Sequence, residues 1–140
     1  MELWYECIKL AQKAAKKNEV PIGAIIVIKG KIIAKGYNKR EKKHDILGHA
    51  EIMAIKKAAK RLKTWKLEEC ELYVTLKPCT MCEAVIKQSR IKKVYYLVEK
   101  PEEKKEFSKT AFEKQDNKGL EDEYKEILSA FFKKKRQEKI

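Results

Sequence analysis

Two short segments of the chain carry side chains that could bind a metal ion and use it. They are His49-Ala50-Glu51 and Pro78-Cys79-Thr80-Met81-Cys82. A structural zinc site usually has four protein ligands, whereas a catalytic site has three and leaves a position for water. His49, Cys79 and Cys82 supply three ligands. We therefore expect a zinc ion that activates a water molecule, with Glu51 beside the open position as a proton carrier.

Each segment alone is also compatible with a different chemistry. Cys-x-x-Cys also occurs as a redox pair or as half of a zinc knuckle, and His-x-Glu alone is weaker still. The combination is more specific, because each segment opens a predicted helix. Cys79 and Cys82 are three residues apart and share one face of a first helical turn, where the helix dipole and a metal stabilise thiolates. Pro78 suits the first helical position.

Strands and helices alternate along the rest of the chain. The hydrophobic pattern predicts helices at 3–17, 49–62 and 78–90, strands at 24–28, 32–37, 72–76 and 94–98, a short strand at 110–112 and a last helix from residue 120. The last helix carries an apolar stripe, interpreted as core: Leu120, Tyr124, Ile127, Leu128 and Phe131. This alternation predicts an α/β fold with helices on both faces of a sheet, as one domain over 1–140.

Composition limits the class of protein. The chain has 34 basic and 21 acidic residues among 140, a formal net charge of +13. That charge favours a nucleic-acid partner, although genome composition or solubility would explain it equally. No apolar run reaches the roughly 18 residues of a membrane span, and the first residues lack a secretion signal. With two cysteines as ligands and Cys7 and Cys70 in the core, we expect a cytoplasmic protein and no membrane partner.

Beyond the two segments, the sequence resembles the bacterial tRNA-specific adenosine deaminases, which are cytidine deaminase-like zinc enzymes. The resemblance is carried by Glu19-Val20-Pro21-Ile22-Gly23-Ala24, Gly36-Tyr37-Asn38, His49-Ala50-Glu51-Ile52-Met53-Ala54, Leu72-Tyr73-Val74-Thr75-Leu76, Pro78-Cys79-Thr80-Met81-Cys82, Ser89-Arg90-Ile91, and Phe131-Phe132 with Arg136-Gln137-Glu138. It implies a three-layer α/β/α sandwich, cytidine deaminase-like, with a mixed sheet of four to five strands. It also implies zinc-dependent hydrolytic deamination of the wobble adenosine in a tRNA anticodon to inosine, with release of ammonia and one Zn2+ per subunit.

The same resemblance assigns roles to further residues. Glu51 would be the catalytic proton carrier, Asn38 would hydrogen-bond the flipped-out nucleoside, and the backbone N–H of Ala50 would face the reacting ring. Val20 and Ile22 would line the base pocket. The RNA would also meet the end of the last helix, through Phe132, Lys133, Lys134, Lys135 and Arg136. Members of the family are homodimers that bind the anticodon stem-loop near the subunit boundary.

Three features depart from the family pattern. Lys77 stands where the family usually has glutamate, and Gly48 stands where it usually has alanine or another small residue. Residues 99–118 lack the Thr-Gly loop and the Asn-His pair of the family, and that loop helps to hold RNA. Two alternatives therefore stay open. One is a deaminase of a free base, nucleoside or nucleotide of the guanine or cytosine type, and the other is a non-catalytic zinc-dependent binding protein.

Overall fold

The computed structural model describes residues 2–41, 43–99 and 109–138. The chain forms two compact units, Met1–Lys104 and Lys105–Ile140. The first unit contains α1 (Glu2–Lys16), β1 (Gly23–Ile28), β2 (Lys31–Tyr37), α2 (Ala50–Leu62), β3 (Glu71–Leu76), α3 (Thr80–Gln88) and β4 (Lys93–Val98), and the second contains α4 (Lys118–Glu138). That the chain is one domain over 1–140 stays a prediction.

The four strands form one mixed sheet in the order β2-β1-β3-β4. β1 pairs antiparallel with β2, as the predicted hairpin requires, and also antiparallel with β3, whereas β3 and β4 are parallel. Ala24 of β1 lies opposite Gly36 on one side and Val74 on the other. The start of β1 and the ends of β2 and β3 therefore meet at one edge of the sheet.

Side chains of β1 alternate between two buried layers. Ile25 and Val27 pack with Cys7 of α1, whereas Ala24 and Ile26 belong to the larger core that α2 and α3 cover. Full burial of one such aliphatic side chain stabilises the fold by about 1.5–3 kcal/mol. This arrangement confirms the predicted α/β fold, in which a mixed sheet of four strands has helices on both faces.

A glycine brings α2 close to the sheet. A Cβ atom built on Gly36 would collide with the carbonyl oxygen of Ala50 and would lie 2.8 Å from the backbone nitrogen of Ala54. Only a residue without a side chain allows β2 and the first turns of α2 to approach this closely. Because α2 begins directly after His49, this contact also positions the first half of the candidate metal site.

Two local expectations were wrong. Pro78 does not occupy the first helical position, because α3 begins at Thr80 with Cys79 as its N-cap residue. Residues 110–112 are not a strand, and Phe112 is 95% exposed. Thr110 and Phe112 have high strand propensity, but so short a segment gains no stability from a ladder unless another strand lies beside it. Among the described residues the sheet therefore has four strands and no fifth.

The assignment of the apolar stripe of α4 to the core was also wrong, since no described residue of that helix is buried. Leu120 and Ile127 are each 61% exposed. Helical spacing shows which residues share a face but not what covers that face. Asn117 caps the helix by accepting the Leu120 N–H at 3.1 Å, and ion pairs such as Lys125–Glu121 add support of a few tenths of a kcal/mol. None of the described helices combines the length and apolarity needed to cross a bilayer.

Candidate metal centre

Three of the residues singled out from the sequence converge at the edge of the sheet where β3 ends. The Nδ1 atom of His49 lies 3.3 Å from Sγ of Cys82 and 3.6 Å from Sγ of Cys79, and the three ligand atoms all lie within 4.8 Å of one another. Ligands of a tetrahedral zinc ion with bond lengths near 2.0 and 2.3 Å are themselves roughly 3.5–4 Å apart. The donor set and its spacing therefore fit zinc, and the predicted zinc site is confirmed.

Two helix N-termini present these ligands. His49 is the N-cap residue of α2 and Cys79 is the N-cap residue of α3, and neither side chain makes a capping hydrogen bond. Histidine and cysteine are poor N-cap residues compared with serine or aspartate, which would satisfy the free N–H groups. At these two positions the chain therefore gives up capping energy, and the side chains point toward each other instead.

The carboxyl group of Glu51 and the thiol of Cys82 are both buried beside one another. Glu51 is 3% exposed, and Cys82 is fully buried. Burial raises the pKa of the Cys82 thiol, and the nearby Glu51 carboxylate and Cys79 thiol raise it further. A dication at this position reverses that effect and makes the thiolate the stable form. The site thus has the chemistry of a cation-binding centre with a carboxylate close to it.

The residues expected to bind a nucleoside are only partly brought together. Oδ1 of Asn38 accepts the backbone N–H of Ala50 at 2.8 Å, so the donor expected to face the reacting ring is engaged with Asn38 in this structure. The N–H of Asn38 donates to the carbonyl oxygen of Ile22 at 3.3 Å, which places Ile22 beside it. Val20 is 57% exposed. The roles of these four residues in substrate binding stay predictions.

The residues expected to contact RNA at the end of the chain lie in the second unit. Phe132 packs edge-to-face against Phe131, with ring centroids 5.4 Å apart, and is more than half exposed. The side chains of Lys133, Lys134, Lys135 and Arg136 are exposed. Their part in RNA binding stays a prediction.

Lys77, the charge reversal next to the cysteines, forms an ion pair with Glu99, the residue that follows β4. Its Nζ lies 3.0 Å from Oε1 of Glu99, and the hydroxyl of Tyr96 donates to Oε2 of the same carboxylate at 3.1 Å. The hydrogen bond with Glu99 raises the pKa of Lys77, and the same bond lowers the pKa of Glu99. The positive charge of Lys77 is therefore matched at the ends of β3 and β4.

Sequence reasoning did not single out Arg40. One of its guanidinium nitrogens lies 3.4 Å from Nε2 of His49, on the side of the imidazole away from the two cysteines. Its place in the sequence could have indicated it, because Arg40 comes two residues after the Gly36-Tyr37-Asn38 segment that carries part of the family resemblance.

The chain matches a known protein family over nearly its whole length. Residues 2–136 match the family model described as MafB19-like deaminase. A tRNA-specific adenosine deaminase of Bacillus subtilis is 50% identical over 91 residues, 65% of this chain and 56% of that protein. One of Agrobacterium fabrum is 39% identical over 135 residues, 90% of this chain and 89% of that protein. The chain thus matches less than two thirds of the length of the first relative and most of the second.

The fold also matches a solved structure. A structure from a study of tRNA:A34 deaminases, which edit A to I at the wobble position of transfer RNA, aligns with a TM-score of 0.70 and 39% identity. The alignment covers 71% of this chain and 77% of that one.

Proposed function

The chain belongs to the MafB19-like deaminase family, and from this premise we propose that it hydrolyses the wobble adenosine of a tRNA anticodon to inosine and ammonia. The observation that carries the proposal is the His49–Cys79–Cys82 site with the buried carboxyl of Glu51 beside it. The choice of tRNA adenosine as substrate is supported by the relative aligned over 89% of its length, which bears that activity in its name.

The chain's own residues account for the proton transfers. His49, Cys79 and Cys82 would hold a zinc ion, which would supply Lewis acidity and make a water molecule acidic enough to react near neutral pH. Glu51 accepts a proton from the attacking water and delivers it to the ring nitrogen next to the amino-bearing carbon. In a second transfer Glu51 takes the proton of the newly added hydroxyl group and gives it to the amino group, so that the carbon–nitrogen bond breaks, ammonia leaves and the oxygen stays on the carbon as a carbonyl. Because Glu51 carries protons in both steps, it has to lie beside the metal without being a ligand.

Binding of the nucleoside falls to the residues around Asn38. The amide N–H groups of Asn38 would hold the extruded nucleoside, while its Oδ1 keeps the first turn of α2 in place through Ala50. Ile22 and Val20 would contact the base. Extrusion of a base from a duplex costs a few kcal/mol of unpairing and unstacking. The cost is lower in an anticodon loop because its bases are already unpaired.

The wider assignment follows from the substrate. We place the reaction in the cytoplasm, with the anticodon stem-loop as partner and a homodimer as the working form. The basic end of α4, Lys133 to Arg136, would contribute attraction to phosphates that does not depend on sequence.

A synthetic anticodon stem-loop with a wobble adenosine tests the proposal directly. The purified protein is incubated with this RNA and, separately, with free adenosine, cytidine and guanine, and inosine or ammonia is measured. Inosine in the stem-loop alone supports the proposal, and Glu51→Ala should abolish it while zinc stays bound. Ammonia from a free base or nucleoside with the stem-loop unchanged would instead identify an enzyme of small substrates. No turnover at all would favour a binding protein.

A further inference from the structure

Three lysine side chains converge on one buried tyrosine near the metal centre. The Nζ atoms of Lys13, Lys17 and Lys39 lie 5.2, 5.1 and 4.7 Å from the ring centroid of Tyr37. The ammonium group of Lys17 also donates a hydrogen bond to the Tyr37 hydroxyl at 2.8 Å. The lysines come from the end of α1 and from the loop after β2, and Tyr37 itself is 7% exposed.

The positive charges of this lysine cluster have no acidic partner within the described parts of the chain, since no ion pair there includes Lys13, Lys17 or Lys39. The electrons of the tyrosine ring attract the ammonium groups of Lys13 and Lys39, and the hydroxyl accepts a hydrogen bond from Lys17, but neither contact neutralises a positive charge. The hydrogen bond from Lys17 and the charges of Lys39, Lys17 and Lys13 lower the pKa of the Tyr37 phenol. Three ammonium groups within 5.2 Å of one ring centroid create a positive potential there. Such a potential attracts anions.

The cluster lies beside the residues of the proposed nucleoside site. Lys39 directly follows Asn38, and its N–H donates to the carbonyl oxygen of Gly48 at 2.7 Å, one residue before His49. A surface cleft of about 230 Å³ contacts two lysines of the cluster and one residue of the nucleoside site; it is lined by Lys17, Glu19, Tyr37, Asn38, Lys39 and Lys43. The carboxyl of Glu19 is buried and accepts the Glu41 N–H at 3.0 Å.

We propose that Lys13, Lys17 and Lys39 bind a backbone phosphate of the RNA next to the target nucleotide. This inference rests on the proposed function. The tyrosine ring is 7% exposed and the ammonium groups surround it, so the cluster presents charge and not a surface on which a base could stack. Lysines bind phosphates as point charges, and such contacts position the nucleic acid without reading its sequence. The cluster therefore holds the strand while Asn38 and Glu51 act on one nucleoside.

The test replaces all three lysines with glutamine. Binding of the anticodon stem-loop is measured by fluorescence anisotropy at several salt concentrations, in a Glu51→Ala background that prevents turnover. Loss of a charge-assisted contact should weaken binding about tenfold. The slope of log affinity against log salt should fall by about 0.7–0.9 for each phosphate contact removed.

A control variant removes the same net charge at the opposite edge of the sheet. Lys29, Lys31 and Lys92 are exposed and lie near the β1–β2 turn and the start of β4. Because charges more than about 8 Å away are largely screened at physiological salt, their replacement with glutamine should change affinity less than threefold. Lys13→Gln and Lys39→Gln singly keep the Lys17–Tyr37 hydrogen bond and provide folded variants if the triple variant does not fold.

Neutral methylphosphonate linkages show which phosphate is bound. Placed one at a time around the wobble position, one linkage should weaken binding of the Glu51→Ala protein as much as the triple substitution does. The same linkage should not change the affinity of the triple variant for the stem-loop.

Three results would overturn the inference. If the native chain edits the stem-loop but the triple variant matches the control in affinity and salt slope, the cluster is not a phosphate site and the proposed function stands. If the triple substitution weakens binding of adenosine 5′-monophosphate and not of the stem-loop, the cluster serves a free nucleotide. If the native chain neither binds nor edits the stem-loop, both proposals fail.

Discussion

Asn38 offers the sharpest test of how the fold supports the site. Its Oδ1 is the acceptor for the N–H of Ala50, in the first turn of α2, and both residues are buried. In Asn38→Ala that N–H loses its partner and cannot reach water, which costs about 1–3 kcal/mol. We therefore expect the free energy of unfolding, measured by urea titration, to fall by about 2 kcal/mol, because the lost bond caps the helix that carries His49 and Glu51.

Asn38→Asp separates the structural role from the role in binding. Aspartate keeps an acceptor oxygen, and its charge at a helix N-terminus is favourable by about 0.3–1 kcal/mol, which offsets part of the cost of burying it. The free energy of unfolding should therefore stay within about 1 kcal/mol of that of the native chain. Both variants lack the amide donor proposed to hold the nucleoside, so kcat/KM should fall in both. An Asn38→Ala protein of unchanged stability, or an Asn38→Asp protein destabilised as much as Asn38→Ala, would refute this reasoning.

Three further outcomes can be checked on the purified chain. Cys82→Ala should lower the zinc content, measured by mass spectrometry of the metal, from about one ion per chain to near none. Glu51→Gln should keep the ion by the same measurement and should release no ammonia. Gly36→Ala should reduce the free energy of unfolding by about 1–3 kcal/mol because its Cβ meets the backbone of α2, whereas Gly119→Ala, where the nearest atom lies 3.8 Å away, should not. Burial raises the pKa of the Cys7 thiol to about 12, so iodoacetamide at pH 8.5 should not label Cys7 in the folded chain. Since the folded pKa lies above the usual value of 9.0, the stability due to the neutral thiol is present below pH 9 and is lost toward pH 12; a Cys7→Ala chain should show a flatter decline over this range.

Local patterns were enough to predict most of the elements and the metal ligands. Each half of the metal site is a short segment at the start of a helix, and three-residue spacing alone puts Cys79 and Cys82 on one side of a turn. The β-branched run in β1 and the turn after it define the hairpin without reference to the rest of the chain. The predicted resemblance to tRNA-specific adenosine deaminases is confirmed by the family match and by the relatives.

Features that depend on distant contacts could not be predicted in this way. Nothing local to Asn38 shows that its side chain caps a helix twelve residues later, and nothing near Lys77 identifies Glu99 as its partner. The periodicity of α4 predicted a face correctly but not its environment, since burial depends on a second surface. Likewise, nothing in the sequence distinguishes Lys13 and Lys39 from the other lysines, and only the fold brings both to the ring of Tyr37.

The two helix N-termini that carry the ligands also make folding and metal supply interdependent. His49 and Cys82 are 33 positions apart in the chain, and their ligand atoms come within 3.3 Å only when α2 and α3 are both docked on the sheet. An unfolded chain offers no such site, so the free energy of zinc binding adds to the free energy of folding. At free zinc one thousand times its dissociation constant this linkage is worth about 4 kcal/mol, a large share of the stability of an ordinary domain. Zinc scarcity would therefore lower the amount of intact protein and its resistance to proteolysis, in addition to the proposed deamination.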